Sequence, residues 1–316
     1  MPLDPDAETL LAMVHAAGRP PFETLTPQEA RQAFKAGRAV TQPDPQEVAE
    51  VRDLSCPGPV SDIKLRAYRP LGSTAQEMLP ALVYFHGGGW LLGDLDSHDV
   101  VCRHYANAAG CRVISVDYRL APEHKFPAAV DDAAAATRWI LTQARALGID
   151  GSHVAVGGDS AGGTLAAVIA LMARDGDLPP LALQLLAYPA TDLAMTHGSY
   201  RRMTDGAILT SKTMAWFIEH YLRGPQDRCD WRASPLRAAD LSGVPRALVL
   251  TCFYDPLCDE GIAYARRLEA EGVRVTHLHF SDQLHGFLSQ GRIIRAGNMA
   301  LDMTSAVLRN ALWPPP

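Results

Sequence analysis

The sequence predicts an α/β fold built around a mainly parallel sheet, with a helical cap. Short apolar segments alternate with longer segments of helical periodicity, and no internal repeat interrupts the alternation. Several of the short segments are apolar on both faces, as is typical of central strands in a parallel sheet. Because such a sheet needs covering on both faces, the intervening helices are expected to lie on either side of it.

The predicted elements follow this alternation along the chain. The predicted strands cover residues 81–85, 111–116, 154–157, 181–188, 247–253 and 274–280. Two earlier strands, near Val51 and over residues 64–68, are expected to pair antiparallel. The predicted helices cover residues 97–109, 126–147, 161–174, 259–271 and 293–312.

Two segments fall outside the alternation and are predicted to form the cap. Residues 1–45 contain helical stretches broken by prolines, and residues 190–235 contain an amphipathic stretch at 211–222. The predicted core comprises residues 46–189 and 236–316. Ligands of open α/β sheets bind beyond the carboxyl ends of the strands, where we expect the cap to lie. The side chains predicted to bound its pocket are Met13, Phe34, Met214, Trp216 and Phe217.

Composition and charge exclude several classes of function. The chain has 316 residues, of which 47% are hydrophobic and 20% charged, so it can bury a core of its own. The net charge is −6 and no long basic run occurs, which argues against binding of nucleic acid or of an anionic membrane surface. The amino terminus lacks the features of a secretory signal and no segment reaches membrane-spanning length. A cytoplasmic protein without stable membrane insertion is expected, and a homodimer is left open.

Neither a disulfide framework nor a metal site is predicted. The six cysteines show no zinc-ligand spacing and are expected to be reduced thiols: Cys56, Cys102, Cys111, Cys229, Cys252 and Cys258. His277, His279 and His285 are close in sequence, but they do not complete a closed ligand set. We therefore expect no metal.

A glycine-rich turn at residues 157–163, GGDSAGG, places Ser160 between a predicted strand and a predicted helix. The pattern Gly158-x-Ser160-x-Gly162 in this context is typical of a nucleophile elbow, where a strained turn presents the serine to substrate. The adjoining helix N-terminus favours a developing oxyanion. A phosphate-binding loop is the alternative, but no Lys-Ser or Lys-Thr follows the glycines.

A second glycine-rich loop, HGGGW at residues 86–90, directly follows the predicted strand 81–85. Its glycines would let backbone N–H groups approach a substrate oxygen and form an oxyanion hole together with the N–H of Ala161. A merely flexible loop is the alternative, since glycine is permissive for many reasons. We interpret His86 as a structural residue that hydrogen-bonds the loop.

A serine nucleophile needs a base, and the base needs a carboxylate to orient it. His285 lies just past the strand predicted at 274–280, and Asp255 follows the strand predicted at 247–253. The chain order Ser160, Asp255, His285 is the order expected for α/β-hydrolases. Asp259 is the alternative acid, but it is better placed to begin the next helix.

With these residues assembled, the chain resembles the hormone-sensitive-lipase-like family of α/β-hydrolase esterases, the bacterial family IV carboxylesterases. The motifs that carry the resemblance are HGGGW at 86–90, YRLAPE at 118–123 with FPA at 126–128, GDSAGG at 158–163, DPL at 255–257 with DEG at 259–261, and HGF at 285–287. They span about two thirds of the chain. The resemblance implies the α/β-hydrolase fold.

The resemblance also implies roles for individual residues. Ser160 would be the nucleophile, His285 the base and Asp255 its partner, and the N–H groups of Gly87, Gly88 and Ala161 would be the oxyanion donors. Arg119 and Glu123 would be non-catalytic and would pair with each other to hold loops below the site.

The implied activity is hydrolysis of small-molecule esters with short to medium acyl chains through an acyl-enzyme on Ser160, without a cofactor. One alternative is a non-catalytic receptor on the same scaffold, in which the base histidine is lost, whereas His285 is present here. Another keeps the same triad but cleaves an amide, carbamate or lactone.

Overall fold

A computed structural model describes residues 2–313 of the chain. Within this range one eight-stranded sheet has the strand order β1-β2-β4-β3-β5-β6-β7-β8. The strands are β1 (Glu50–Cys56), β2 (Ile63–Arg69), β3 (Leu79–Phe85), β4 (Arg112–Asp117), β5 (Ile149–Asp159), β6 (Leu183–Ala187), β7 (Ala247–Tyr254) and β8 (Val275–Leu284).

The direction of the strands agrees with the sequence prediction. β2 is antiparallel to both β1 and β4. The other neighbours, from β4 and β3 through to β8, are parallel. Parallel strands end at the same edge of the sheet, so the loops after β3, β5, β7 and β8 emerge together. This edge therefore gathers the motifs that were predicted to carry the chemistry.

Nine α-helices occur within the described residues, and short 3₁₀ turns link some of them. The helices are α1 (Pro5–Ala16), α2 (Pro27–Thr41), α3 (Asp99–Ala109), α4 (Ala128–Thr142), α5 (Ala161–Arg174), α6 (Gly198–Arg202), α7 (Ser211–Tyr221), α8 (Cys258–Ala270) and α9 (Arg295–Leu312). No helix in this part of the chain has both the length and the apolar character needed to cross a bilayer.

Some predicted bounds differ from the structure. The helix predicted at 126–147 is shorter, because Pro127 lies at its N-cap position and the helix ends at Thr142. The strand predicted to end at residue 280 continues to Leu284, since β8 resumes its pairing with β7 beyond an irregularity. As a result, β8 ends one residue before His285.

The core lies on both faces of the sheet, as the alternation predicted. One apolar cluster joins the sheet to α4, α5 and α8, and the other joins it to α3 and α9. α5 is buried along nearly its whole length, from Ala161 to Ala173. A helix buried in this way is held rigidly, and so is the turn that precedes it.

The two segments predicted to form the cap contact each other and the core. Thr213 on α7 donates a hydrogen bond to the carboxylate of Glu23 at 2.7 Å. Arg31 on α2 donates to the carbonyl oxygen of Leu91 at 2.9 Å and pairs with Glu123 at 2.6 Å. The division into cap and core stays a prediction.

The pairing predicted between Arg119 and Glu123 is wrong. Arg119 instead binds Asp132 on α4, with 2.7 Å between Nη2 and Oδ1, and Glu123 binds Arg31. Asp132 is buried, so it offers Arg119 a carboxylate screened from water, whereas Glu123 projects toward the amino-terminal helices. The two residues hold different parts of the molecule together.

Candidate active site

Ser160 occupies the turn between β5 and α5. Its backbone has φ 55° and ψ −120°, a conformation that L-residues rarely adopt. A Cβ atom on Gly162 would overlap the backbone carbonyl of Phe85, so only glycine lets α5 approach β3 this closely. The strained conformation persists because the buried helix α5 fixes the turn, as expected where a serine is presented to a substrate.

His285 and Asp255 meet Ser160 at the carboxyl edge of the sheet. The Nε2 atom of His285 lies 2.9 Å from Ser160 Oγ, and its Nδ1 atom lies 2.7 Å from Asp255 Oδ2. With Asp255 as an acceptor, Nδ1 carries the proton and Nε2 is left to accept one from the serine. The sequence placed these three residues at the ends of three different strands, and the structure brings them together.

The buried acid is positioned by its own loop. Asp255 is fully buried and accepts a hydrogen bond from the backbone N–H of Leu257 at 2.8 Å. Asp259, the alternative acid, faces elsewhere: it accepts from the N–H of Ser199 at 2.7 Å and pairs with Arg202 at 3.0 Å. Asp255 is therefore the carboxylate that contacts His285.

The oxyanion loop differs from its prediction at Gly87. The N–H of Gly87 already donates to Asp159 Oδ1 at 3.0 Å, so it is not free to bind a substrate oxygen, and the prediction for this residue is wrong. The N–H groups of Gly88 and Ala161 donate no hydrogen bond to any residue in the range 2–313. The Ala161 N–H is free because it opens a helix.

Asp159 is the main polar residue of the site that sequence reasoning missed. Besides Gly87, its carboxylate accepts from the Tyr84 hydroxyl at 2.7 Å and lies 3.2 Å from His98 Nε2. Burial opposes its charge, but the contacts with His98 and Tyr84 outweigh burial and lower the pKa of Asp159. Its place beside Ser160 in the GDSAGG motif is the signal that could have pointed to it.

His86 holds the start of the oxyanion loop, as predicted. Its Nδ1 lies 2.9 Å from the carbonyl oxygen of Gly87, and its ring stacks on Tyr118 with 4.4 Å between centroids. Burial, together with the neighbouring His98, lowers the pKa of His86 to about 4. The ring is therefore neutral near pH 7 and brings no positive charge to the site.

A family model described as alpha/beta hydrolase fold matches residues 82–289, the stretch that contains Ser160, Asp255 and His285. The chain belongs to this α/β-hydrolase family. An ethyl acetate hydrolase of Pseudomonas putida is 40% identical over 99% of this chain and 100% of its own length. A carboxylic ester hydrolase of Mycobacterium tuberculosis, LipN, is 42% identical over 91% of this chain and 77% of its own.

Solved structures agree with the sequence relatives. An α/β-hydrolase enzyme from the metagenome of Lake Arreo superposes with a TM-score of 0.94 at 44% identity, covering 97% of this chain and 98% of the other. The predicted fold and the resemblance to hormone-sensitive-lipase-like esterases are thus confirmed.

Three of the predicted pocket residues of this α/β-hydrolase are buried on α7, and two lie on the amino-terminal helices. Met214, Trp216 and Phe217 are at most 9% exposed, and the Phe217 ring lies so close to Gly89 that a Cβ there would overlap it. Phe34 on α2 is partly buried, whereas Met13 on α1 is 37% exposed. Phe217 is thus in contact with the oxyanion loop. The role of all five in substrate selection stays a prediction.

Within the described range, no group of three or more His, Cys, Asp or Glu side chains is arranged so that it could hold a metal ion. His277 and His279 lie on β8, and each has a ring nitrogen 2.9 Å from Thr251 Oγ1. This hydroxyl accounts for their shared orientation.

Proposed function

We propose that the chain is a serine carboxylesterase that hydrolyses small-molecule esters with short to medium acyl chains. Ser160 acts as the nucleophile, His285 as the general base and Asp255 as the residue that orients it. The single observation that carries the proposal is the continuous hydrogen-bonded chain from Ser160 Oγ to His285 Nε2 and from His285 Nδ1 to Asp255 Oδ2.

The first half-reaction forms the acyl-enzyme. Ser160 Oγ attacks the ester carbonyl carbon while its proton passes to His285 Nε2, and Asp255 stabilises the imidazolium that forms. The tetrahedral intermediate collapses as His285 returns the proton to the leaving alkoxide. The alcohol departs and the acyl group stays on Ser160.

The second half-reaction repeats these steps with water. A water molecule transfers a proton to His285 Nε2 and attacks the acyl carbon, and the acid leaves as Ser160 regains its proton. No cofactor enters either half-reaction.

The N–H groups of Gly88, Gly89 and Ala161 are the oxyanion donors in this proposal, and none of the three donates a hydrogen bond to another residue in the range 2–313. The free N–H groups of Gly88 and Ala161 support it, because an oxyanion needs donors that are not already used. Gly87 takes a different role: its hydrogen bond to Asp159 ties the loop to the residue before the nucleophile.

The relatives support an ester as the native bond. Those compared above are named ethyl acetate hydrolase and carboxylic ester hydrolase, and a relative from Saccharolobus solfataricus that is 38% identical over 93% of this chain is named arylesterase. Small acyl groups and aryl leaving groups both fit this description. The presence of His285 at hydrogen-bonding distance from Ser160 disfavours a non-catalytic receptor.

The deciding experiment measures initial rates on p-nitrophenyl esters of increasing acyl length, with a parallel anilide and lactone series. We expect the highest kcat/KM among short and medium esters, and labelling by an aryl phosphonate at Ser160 alone, as read by peptide mass spectrometry. Turnover of anilides or lactones above that of every ester would reject the ester assignment, and labelling at another residue would reject Ser160.

A cytoplasmic location is also proposed. Its support is that all six cysteines are free thiols, five of them buried, which suits a reducing compartment. Fractionation of the producing cells, with activity found outside the cytoplasm, would contradict it.

A further inference from the structure

Arg38 lies in the last turn of α2, on the segment predicted to form part of the cap. The end of this helix is tied down on two sides. Gln42 donates to the carbonyl oxygen of Ser97, beyond the oxyanion loop, at 2.6 Å. The N–H of Arg292, beyond His285, donates to the carbonyl oxygen of Thr41 at 3.2 Å. These contacts place the end of α2 between the two loops that border the active site.

The Arg38 side chain has no anionic partner in the described part of the chain. Its Nη1 atom is buried and without a hydrogen-bond partner, and no carboxylate lies within ion-pair distance. Its guanidinium carbon lies 4.7 Å from the centre of the Phe34 ring, one helical turn earlier. A cation over an aromatic face is attracted to it, so Phe34 holds the guanidinium in place without satisfying its donors.

The charge of Arg38 reaches groups that adjoin the reacting atoms. It helps to lower the pKa of Asp159, the neighbour of Ser160. It also partly offsets the rise in the pKa of Tyr188 that burial causes. The ring centre of Tyr188 is 4.7 Å from that of His285. Burial lowers the pKa of Arg38 itself, but a guanidinium remains protonated at neutral pH.

Asp159 does not account for the position of Arg38. Its carboxylate already has Tyr84, Gly87 and His98 as partners. The Tyr188 hydroxyl is a second buried polar group in this region without a hydrogen-bond partner. Leaving buried donors unpaired costs free energy, which a ligand that pairs with them would recover. The unpaired Nη1 atom of Arg38 therefore points to an anionic ligand group.

We propose that Arg38 binds a carboxylate carried by the substrate, so that the enzyme prefers esters that also bear a free carboxyl group. This inference rests on the proposed esterase function and names its substrate class. The planar guanidinium matches a carboxylate with two parallel hydrogen bonds. Because the chain carries a net charge of −6, which disfavours anionic substrates in general, a local cation is needed to bind one.

An ester can carry the free carboxylate on its acyl side or on its alcohol side. Each possibility is tested with a pair of substrates, one anionic and one neutral. In the first the carboxylate is on the acyl side: mono-p-nitrophenyl glutarate is compared with its neutral methyl ester. In the second it is on the alcohol side: 4-acetoxybenzoate is compared with methyl 4-acetoxybenzoate. For at least one of the two pairs, we expect the anionic-to-neutral ratio of kcat/KM to be higher in the wild type than in Arg38→Gln.

The Arg38→Gln variant should lose about tenfold to a hundredfold of kcat/KM on the preferred anionic ester, mainly through KM, because a charge-assisted pair is removed. On the neutral partner kcat/KM should fall by less, because a neutral ester forms no charge-assisted pair with Arg38, so the anionic-to-neutral ratio of kcat/KM should fall about tenfold or more. Arg38→Lys keeps the charge but not the planar guanidinium, so its kcat/KM on the anionic ester should lie between the values of wild type and Arg38→Gln. An anionic-to-neutral ratio that is unchanged in Arg38→Gln for both pairs would overturn the proposal.

Lys35 provides the matched control. It lies on the same helix and carries the same charge, but its side chain is 72% exposed. Lys35→Gln should leave the anionic-to-neutral ratio unchanged. An equal drop in both variants would show a general charge effect and would overturn the assignment to Arg38.

Equilibrium binding separates this inference from the esterase function. Calorimetry of Ser160→Ala with mono-methyl glutarate, or with 4-acetoxybenzoate, requires no turnover. Binding that Arg38→Gln weakens about tenfold or more in the same background supports the carboxylate site even if ester hydrolysis were absent. Hydrolysis of neutral esters together with equal carboxylate binding in both variants would leave the esterase intact and refute the site.

Discussion

The carboxyl edge of the sheet contains two Ser, His and Asp constellations, and they differ in which ring nitrogen of the histidine faces the hydroxyl. In the outer triad, Ser160, His285 and Asp255, the carboxylate lies at Nδ1 and the hydroxyl at Nε2. The inner trio consists of Ser97, His98 and Asp159. Here the hydroxyl is 2.9 Å from Nδ1 and the carboxylate 3.2 Å from Nε2.

In the inner trio the polar groups already have hydrogen-bond partners within the protein. Ser97 Oγ donates to the carbonyl oxygen of Asp94 at 2.8 Å and accepts from the N–H of the same residue at 2.9 Å. His98 is fully buried, and Asp159 is occupied by Gly87 and Tyr84. The same three residue types therefore serve to hold the oxyanion loop, because no open side is left for a substrate. In the outer triad, by contrast, Ser160 stands on a strained turn beside the free N–H of Ala161.

The largest expected effect separates the two serines. Ser160→Ala should reduce kcat by roughly a millionfold while the protein stays folded, because the nucleophile is lost and the turn tolerates a small side chain. Ser97→Ala is the matched change in the inner trio and should keep kcat within about tenfold of wild type. Steady-state kinetics with circular dichroism would measure both. If Ser160→Ala kept activity within tenfold of wild type, the outer triad would not be the catalytic one.

The two aspartates should differ in what their loss affects. Asp255→Asn should reduce kcat by about ten-thousandfold with little change in Tm, because the histidine is left in the wrong tautomer. Asp159→Asn should reduce kcat by about tenfold to a hundredfold and also lower Tm, since the oxyanion loop loses its anchor. Kinetics and thermal unfolding of both variants test this. If both variants lost kcat equally and kept the wild-type Tm, the outer triad and the inner trio would not differ in function.

His86, which packs beside the inner trio, should make stability depend on pH. Its pKa is about 4 in the folded protein against 6.5 for an ordinary histidine, so the unfolded chain binds the additional proton between these values. The stability that neutral His86 contributes is present above pH 6.5 and is lost as the pH falls toward 4, by up to about 3 kcal/mol.

Urea unfolding of wild type and His86→Gln between pH 7 and pH 4 measures this contribution. We expect a shallower decline of the free energy of unfolding in the variant. His15→Gln, which replaces an exposed histidine by the same residue type, is the matched control for the substitution itself. A variant at residue 86 with the wild-type slope would show that its burial does not control this titration.

The smallest expected effect concerns α7, in the segment predicted to form part of the cap. Phe217→Leu makes room beside Gly89 and should raise kcat/KM for hexanoate relative to butyrate by about tenfold, because overlap with a longer acyl chain is relieved. Met303→Ala, on an exposed position of α9, should leave the chain-length profile unchanged. If Phe217→Leu lowered Tm and left the profile flat, α7 would serve only for packing.

Much of the fold and the main site could be predicted from local sequence patterns. Apolar runs identified the strands because a buried parallel strand must be apolar on both faces. Ser160, Asp255 and His285 stood out because each follows a strand, and parallel strands bring such loops to one edge. The family motifs then pointed to the same three residues.

Other features depended on which partner lies nearest in space. Gly87 was expected to bind substrate, but Asp159 approaches from a different strand and takes its N–H. Arg119 and Glu123 are close in sequence, yet each finds a better-placed partner, Asp132 and Arg31. A hydrogen bond depends on distances of a few tenths of an ångström, which sequence spacing does not specify across separate elements.

Arg38 shows the same limit most clearly. In the sequence it is one of several cations on an amphipathic helix, where exposure to water would be its ordinary state. Only the packing of the end of α2 between the Ser97 and Arg292 segments buries its Nη1 atom beside the active site. Residue chemistry along the chain thus determined which groups could react. Tertiary packing decided which polar groups were already paired and which were left to bind a substrate, because burial and pairing are set by neighbours far apart in the chain.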